Sequence, residues 1–69
     1  MTHRVYKYIE LTGTSNASIE DAAQTALARA SQTMRGIDWM EVKDVRARVE
    51  NGKIDHWQVM LKVAFALDE

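Results

Sequence analysis

Few residues of this chain have the type and spacing to do chemistry. The stretch "RGIDWMEV", Arg35 to Val42, puts Trp39 three residues after Gly36, where a helix should give way to a strand. An indole there is either the edge of a core or a platform, because its large π-face stacks well on flat aromatic systems. Little else stands beside it. There is no cysteine, and the two histidines, His3 and His56, are far apart with no metal-ligand spacing. "TGTS" is too short, and wrongly spaced, for a phosphate-cradling loop, and no nucleophile motif occurs. Ten acidic residues are present, but no pattern places any two of them as a catalytic pair. The chemistry on offer is binding or assembly rather than catalysis.

Composition narrows the class further. Sixty-nine residues make a single domain, 1–69. A chain this short buries only about 60% of its unfolded surface. Cores below roughly 70–80 residues usually need a disulfide, a metal or a partner subunit. With no cysteine and no metal spacing, oligomerisation is the expected support. A net charge of −1 argues against a general nucleic-acid binder. No apolar run approaches the roughly 20 residues of a membrane span, and "MTHRVYKYIE" lacks the apolar stretch of a signal peptide. A soluble cytoplasmic protein is expected.

The elements that would position Trp39 can be read from periodicity. "RVYKYIEL" alternates, with Val5, Ile9 and Leu11 on one face and Tyr6, Tyr8 and Glu10 on the other, so it predicts a strand. The turn formers of "TGTSNAS" should end it. A helix is predicted over 18–35. Ser18 caps it, with Asp21 in a capping-box position. Its stripe is Ile19, Ala22, Ala23, Ala26, Leu27, Ala30 and Met34, and Gly36 closes it. The alanines would let a neighbour approach closely. A second strand runs from Trp39 to Glu50, Asn51-Gly52 gives a tight hairpin, and a third strand follows from Ile54 to Leu67.

With Asn51 and Gly52 as the loop, Met40 should face Val63 and Val42 face Leu61, a cluster suited to the helix stripe. Trp39, Val45, Gln58 and Met60 should point the other way, with Lys43 and Lys62 on their side. One helix covers one sheet face, so that second face is expected to be an interface or ligand surface. The same register sets Arg46 opposite Trp57 and Arg48 opposite Asp55. A right-handed crossover between the first two strands leaves room for the third between them. The fold class is therefore α+β: a β-α-β-β subunit whose three-stranded antiparallel sheet, order 1-3-2, wraps one helix.

These residues carry a resemblance. "ELTGTS", "ALARASQTMRGIDWMEVKDVRARVENGKIDHWQV" and "LKVAFALDE" together resemble the dodecin family of small flavin-binding proteins over nearly the whole chain. The resemblance implies a hollow homododecamer that stores flavin in pairs between subunits, sandwiched by tryptophans, with no turnover. It implies that Trp39 stacks on the isoalloxazine ring of FMN or riboflavin. It makes Gln58 the hydrogen-bonding partner of the pyrimidine edge, and places Arg46 near the phosphate of FMN or of a coenzyme A ligand. Bacterial relatives often read "GFRL" where this chain reads "AFAL", so Ala66 stands where they have a second arginine.

The residues themselves fit that ligand without singling it out. An indole stacks on a flat heteroaromatic, and an amide presents donors and an acceptor to alternating C=O and N–H groups. Pattern alone would sooner make Trp39 an interface-packing residue and Gln58 a solvated strand residue. Arg46 could form a structural cation–π pair with Trp57, and Arg48 a cross-strand ion pair with Asp55. Trp57 reads as core and His56 as a surface or interface residue. Three functions follow: a flavin-storing assembly, a coenzyme A carrier, or a purely structural oligomeric scaffold.

Overall fold

The computed structural model describes residues 4–67; His3, the other half of the histidine comparison, lies outside them. The elements are β1 (Tyr6–Ser15), α1 (Ile19–Ser31), β2 (Ile37–Glu50) and β3 (Lys53–Ala66). The sheet is antiparallel in the order β1-β3-β2, as the crossover argument predicts.

β1 is longer than its pattern suggests. It runs on through "TGTS" to Ser15, paired with β3 as far as Trp57. Gly13 is there for space rather than for a turn. A Cβ at Gly13 would run into the Ala22 carbonyl oxygen and lie 2.9 Å from Ala26 Cβ. Gly13 and the alanine stripe thus set the close approach of helix to sheet. Ser18 caps α1 as expected, its hydroxyl accepting from the Asp21 N–H at 2.9 Å. Asp21 does not return the bond. Its carboxylate accepts from the Ser15 hydroxyl at 2.7 Å and ties the helix start to the end of β1.

The helix ends at Ser31, not Arg35. Gln32 and Thr33 donate to the carbonyls three residues back, which tightens and closes the last turn. Gly36, at φ +74°, turns the chain into β2 instead of capping the helix. Asn51 and Gly52 both take positive φ, as a two-residue hairpin requires.

α1 packs chiefly on β1 and β3. The core is Ala22, Ala23, Ala26, Val59, Leu61 and Val63, flanked by Ile9, Leu11, Leu27, Ile37 and Trp57. Trp57 is structural, as expected. The cluster assigned to the helix stripe is a different matter. Met40 and Val42 do face Val63 and Leu61, but past Ile37, which touches the core, β2 runs beyond the reach of the single helix. Met40 and Val42 stay exposed, with Val45, Val49 and Ile54. Extents of 56 × 20 × 13 Å describe a long thin plate rather than a closed core.

Three irregularities correct the β2–β3 register. The hairpin pairs Glu50 with Lys53 and Val49 with Ile54 as predicted. Asp55 is then passed over, so Arg48 meets His56, Ala47 meets Trp57, Arg46 meets Gln58, Val45 meets Val59 and Asp44 meets Met60. Lys43 is passed over on β2, which restores the predicted pairs from Val42 to Trp39, and Asp38 is skipped beyond. A one-residue slip turns every side chain in a segment to the other face. Arg46 therefore leaves Trp57 for the face of Gln58, and Val45 moves to the helix side. Arg48 faces His56 rather than Asp55, and its ion-pair partner is Glu50 at 3.9 Å.

Candidate functional site

The sheet face turned away from the helix carries two side-chain groups. The first is aromatic. Trp39 on β2 pairs with Ala64 on β3, which pairs with Tyr8 on β1. Ala64 and the neighbouring Ala66 are small, so the aromatic side chains of the outer strands meet across them. The Trp39 and Tyr6 rings lie 4.7 Å apart, tilted by 44°, and the Trp39 indole N–H donates to the Tyr8 hydroxyl at 3.3 Å. Lys62 Nζ sits 6.0 Å from the centre of the Tyr8 ring. So held, Trp39 is still 43% exposed. It is the platform geometry, not the buried one.

The second group is polar. The Arg46 Nε–H donates to Gln58 Oε1 at 2.8 Å. Gln58 Nε2 lies 3.1 Å from His56 Nε2, and His56 Nδ1 lies 2.8 Å from Asp55 Oδ2. Beside them a shallow hollow is lined by Thr12, Asp44, Arg46, Gln58 and Met60. The slip at Asp55 assembles this group: without it Arg46 would lie on the opposite face.

All three sequence-predicted site residues thus share one face, but not one place. Ala64, beside Trp39, is six residues from Gln58 along β3, about 20 Å of strand. Arg46 and Gln58 are together and Trp39 is apart. No ring of three fused six-membered cycles spans that distance. Sequence reasoning missed Tyr6 and Tyr8 as the backing of Trp39, and His56 with Asp55 as partners of Gln58. Tyr6 and Tyr8 were legible as residues on the face opposite Ile9. The polar group was not, because its assembly depends on the slip.

Among the described residues no helix is long and apolar enough to cross a membrane, and no group of three or more His, Cys, Asp or Glu could hold a metal ion.

The sequence model of the Dodecin family matches residues 5–68. Dodecin of Thermus thermophilus is 47% identical over 66 residues, 96% of either chain. The chain belongs to the Dodecin family. Dodecins are not enzymes, and neither is this member. The structure of dodecin from Streptomyces coelicolor superimposes with a TM-score of 0.93 at 45% identity, over 100% of this chain and 99% of that one. Two crystallised variants of the Thermus dodecin, each with a different arginine replaced by alanine, superimpose at a TM-score of 0.92 over 97% of this chain and 98 and 100% of theirs. One is 48% identical to this dodecin and the other 45%.

Proposed function

We propose that this dodecin is a flavin-binding storage and buffering protein, acting in the cytoplasm as a homododecamer whose sites lie between subunits. The observation that carries this reading is the division of the open face. Trp39 offers a backed, exposed indole, Gln58 offers a directed amide, and one chain cannot bring the two to the same ring. A site using both takes Trp39 from one subunit and Gln58 from another.

The side chains suit an isoalloxazine ring. An exposed indole stacks on it with offset geometry. Gln58 Oε1 keeps one lone pair beyond its bond to Arg46, and Nε2 keeps one N–H beyond its contact with His56. That donor and acceptor match the adjacent N–H and C=O groups of a pyrimidine edge. Trp39, as a stacked donor, passes an electron to the excited ring and takes it back, so light energy is lost without net reaction. Arg46, exposed beside Gln58, is placed to meet the phosphate of FMN or of coenzyme A. The uncovered strip Met40, Val42, Val45, Val49 and Ile54 is too extensive for a lone soluble subunit and supports burial between copies.

The test is a riboflavin titration followed by flavin fluorescence, with light scattering on the same sample. Binding with strong quenching in a dodecamer-sized particle is expected. A folded monomer at micromolar concentration, or an assembly that flavin does not enter, would defeat the proposal. The second outcome would leave the structural scaffold, and coenzyme A binding in its place would leave the carrier.

A further inference from the structure

The polar group of the open face has a fixed internal order, and one residue decides it. Arg46 is a donor only and cannot accept. The Gln58 atom that faces its Nε–H at 2.8 Å must therefore be the amide oxygen. That leaves the amide nitrogen against His56 Nε2 at 3.1 Å. An amide nitrogen only donates, so His56 Nε2 must accept. A neutral imidazole that accepts at Nε2 carries its proton on Nδ1, which then donates to Asp55 Oδ2 at 2.8 Å. Every bond in the chain Arg46–Gln58–His56–Asp55 follows from the first.

The order holds only while His56 is neutral. With a second proton, Nε2 becomes a donor and opposes the Gln58 N–H. Turning the amide over would satisfy His56, but it would set the amide nitrogen against the Arg46 guanidinium, donor against donor. No orientation then satisfies both neighbours. The charged groups around His56 are Asp55 on β3 and, on β2, Arg46, Arg48 with its partner Glu50, and Asp44 beyond Arg46. β1 brings only the neutral Thr14 and Thr12, opposite Gln58 and Met60.

We infer that His56, oriented by Asp55, is a positioning residue that fixes which way the Gln58 amide faces and so sets the donor–acceptor order offered to a ligand's imide edge. The inference rests on the proposal that Gln58 meets the pyrimidine edge of flavin. It makes recognition of that edge sensitive to pH through the amide rather than through the ligand.

The experiment is a riboflavin titration from about pH 8 to about pH 5, the range in which histidine ordinarily changes charge. Riboflavin has no phosphate to titrate there. In the natural protein, affinity should fall by about three- to tenfold on acidification, the value of one hydrogen bond lost. His56→Gln places a non-titrating acceptor near the same position. It should bind about as well as the natural protein at the higher pH and show a flat profile. His56→Leu, with no acceptor, should be weak at both ends. An acid loss in His56→Gln equal to the natural protein's would overturn the inference, as would full affinity in His56→Leu at the higher pH. Gln58→Ala separates the two levels: if it binds riboflavin unchanged, the placement of flavin at Gln58 fails. The order itself is then judged without ligand, by nitrogen-15 shifts of the flavin-free protein. They should show the Nδ1–H form of His56 at the higher pH and a shift of the Gln58 amide between the two ends of the pH range. The Nε2–H form would contradict it.

Discussion

At one end of the open sheet face, Trp39 leans on Tyr6 and gives its N–H to Tyr8. At the other, Gln58 is held between Arg46 and His56. The aromatic end offers area without direction: stacking tolerates rotation of a flat ring about the stacking axis. The polar end offers direction with little area, because a hydrogen bond demands one angle and one partner order. A flavin bound by stacking alone would lie in many orientations, and one bound by a single amide would be held weakly. On the proposed reading, separating the two by about 20 Å of strand would make both available to one ring only where subunits meet, and would couple binding to assembly.

The substitution with the largest expected effect strikes both ends together. Gly13→Ala drives a Cβ into the Ala22 carbonyl, where backbone has to move. Destabilisation at or above the usual overpacking range of about 1–3 kcal/mol is expected, with assembly and flavin binding lost in parallel in a thermal melt and a titration. Next is the aromatic end. Trp39→Ala should weaken flavin binding by at least about tenfold, given about 1–3 kcal/mol for base–aromatic stacking, and should relieve the quenching of whatever flavin remains. Trp57→Phe, a change on the core side, should do neither. If the two substitutions behave alike, Trp39 is not the platform.

The polar end should respond differently in kind. Gln58→Ala is expected to reduce affinity by about three- to tenfold while leaving the bound flavin as quenched as in the natural protein, because the indole is untouched. Recovery of fluorescence in this variant would mean the ends are not separate in function. The smallest effect is expected from Ala66→Arg, which adds a cation at the aromatic end, opposite Tyr6. The FMN-to-riboflavin affinity ratio should rise within about tenfold and shrink with salt, as for an exposed ion pair of about 0–1 kcal/mol. Riboflavin affinity should hardly change. A natural protein that already prefers FMN a hundredfold would show that its phosphate has another strong partner.

The two ends also differ in how far the sequence reveals them. Strand order, hairpin and helix cap were legible because each rests on local chemistry: alternation, Asn51-Gly52, Ser18. Trp39 was legible as a type at a boundary. The polar end was hidden by the slips at Asp55 and Lys43. One trace of them was present, since the apolar positions of β2 run Met40, Val42, then Val45, Ala47, Val49, and the alternation changes phase between Val42 and Val45. Read as an inserted residue, that change would have moved Arg46 to the face of Gln58. The length of β1 was misjudged for another reason: Gly13 looks like a turn former, whereas its role is to admit the helix backbone. The short reach of α1 over β2 was not legible at all, because helix placement depends on packing depth that no local pattern encodes.

The central claim is that one binding site draws Trp39 and Gln58 from different chains. Co-assembly of Trp39→Ala chains with Gln58→Ala chains tests it most directly. Neither variant alone can form an intact site. In a randomly mixed assembly, about a quarter of sites would pair a natural Trp39 from one chain with a natural Gln58 from another, provided sites lie between subunits. Riboflavin titration of the mixed assembly should therefore recover a minority class of sites with natural affinity and full quenching. A mixed assembly that binds only as the average of the two variants would show that both residues act within one chain, or not on one ligand at all, and would contradict the account.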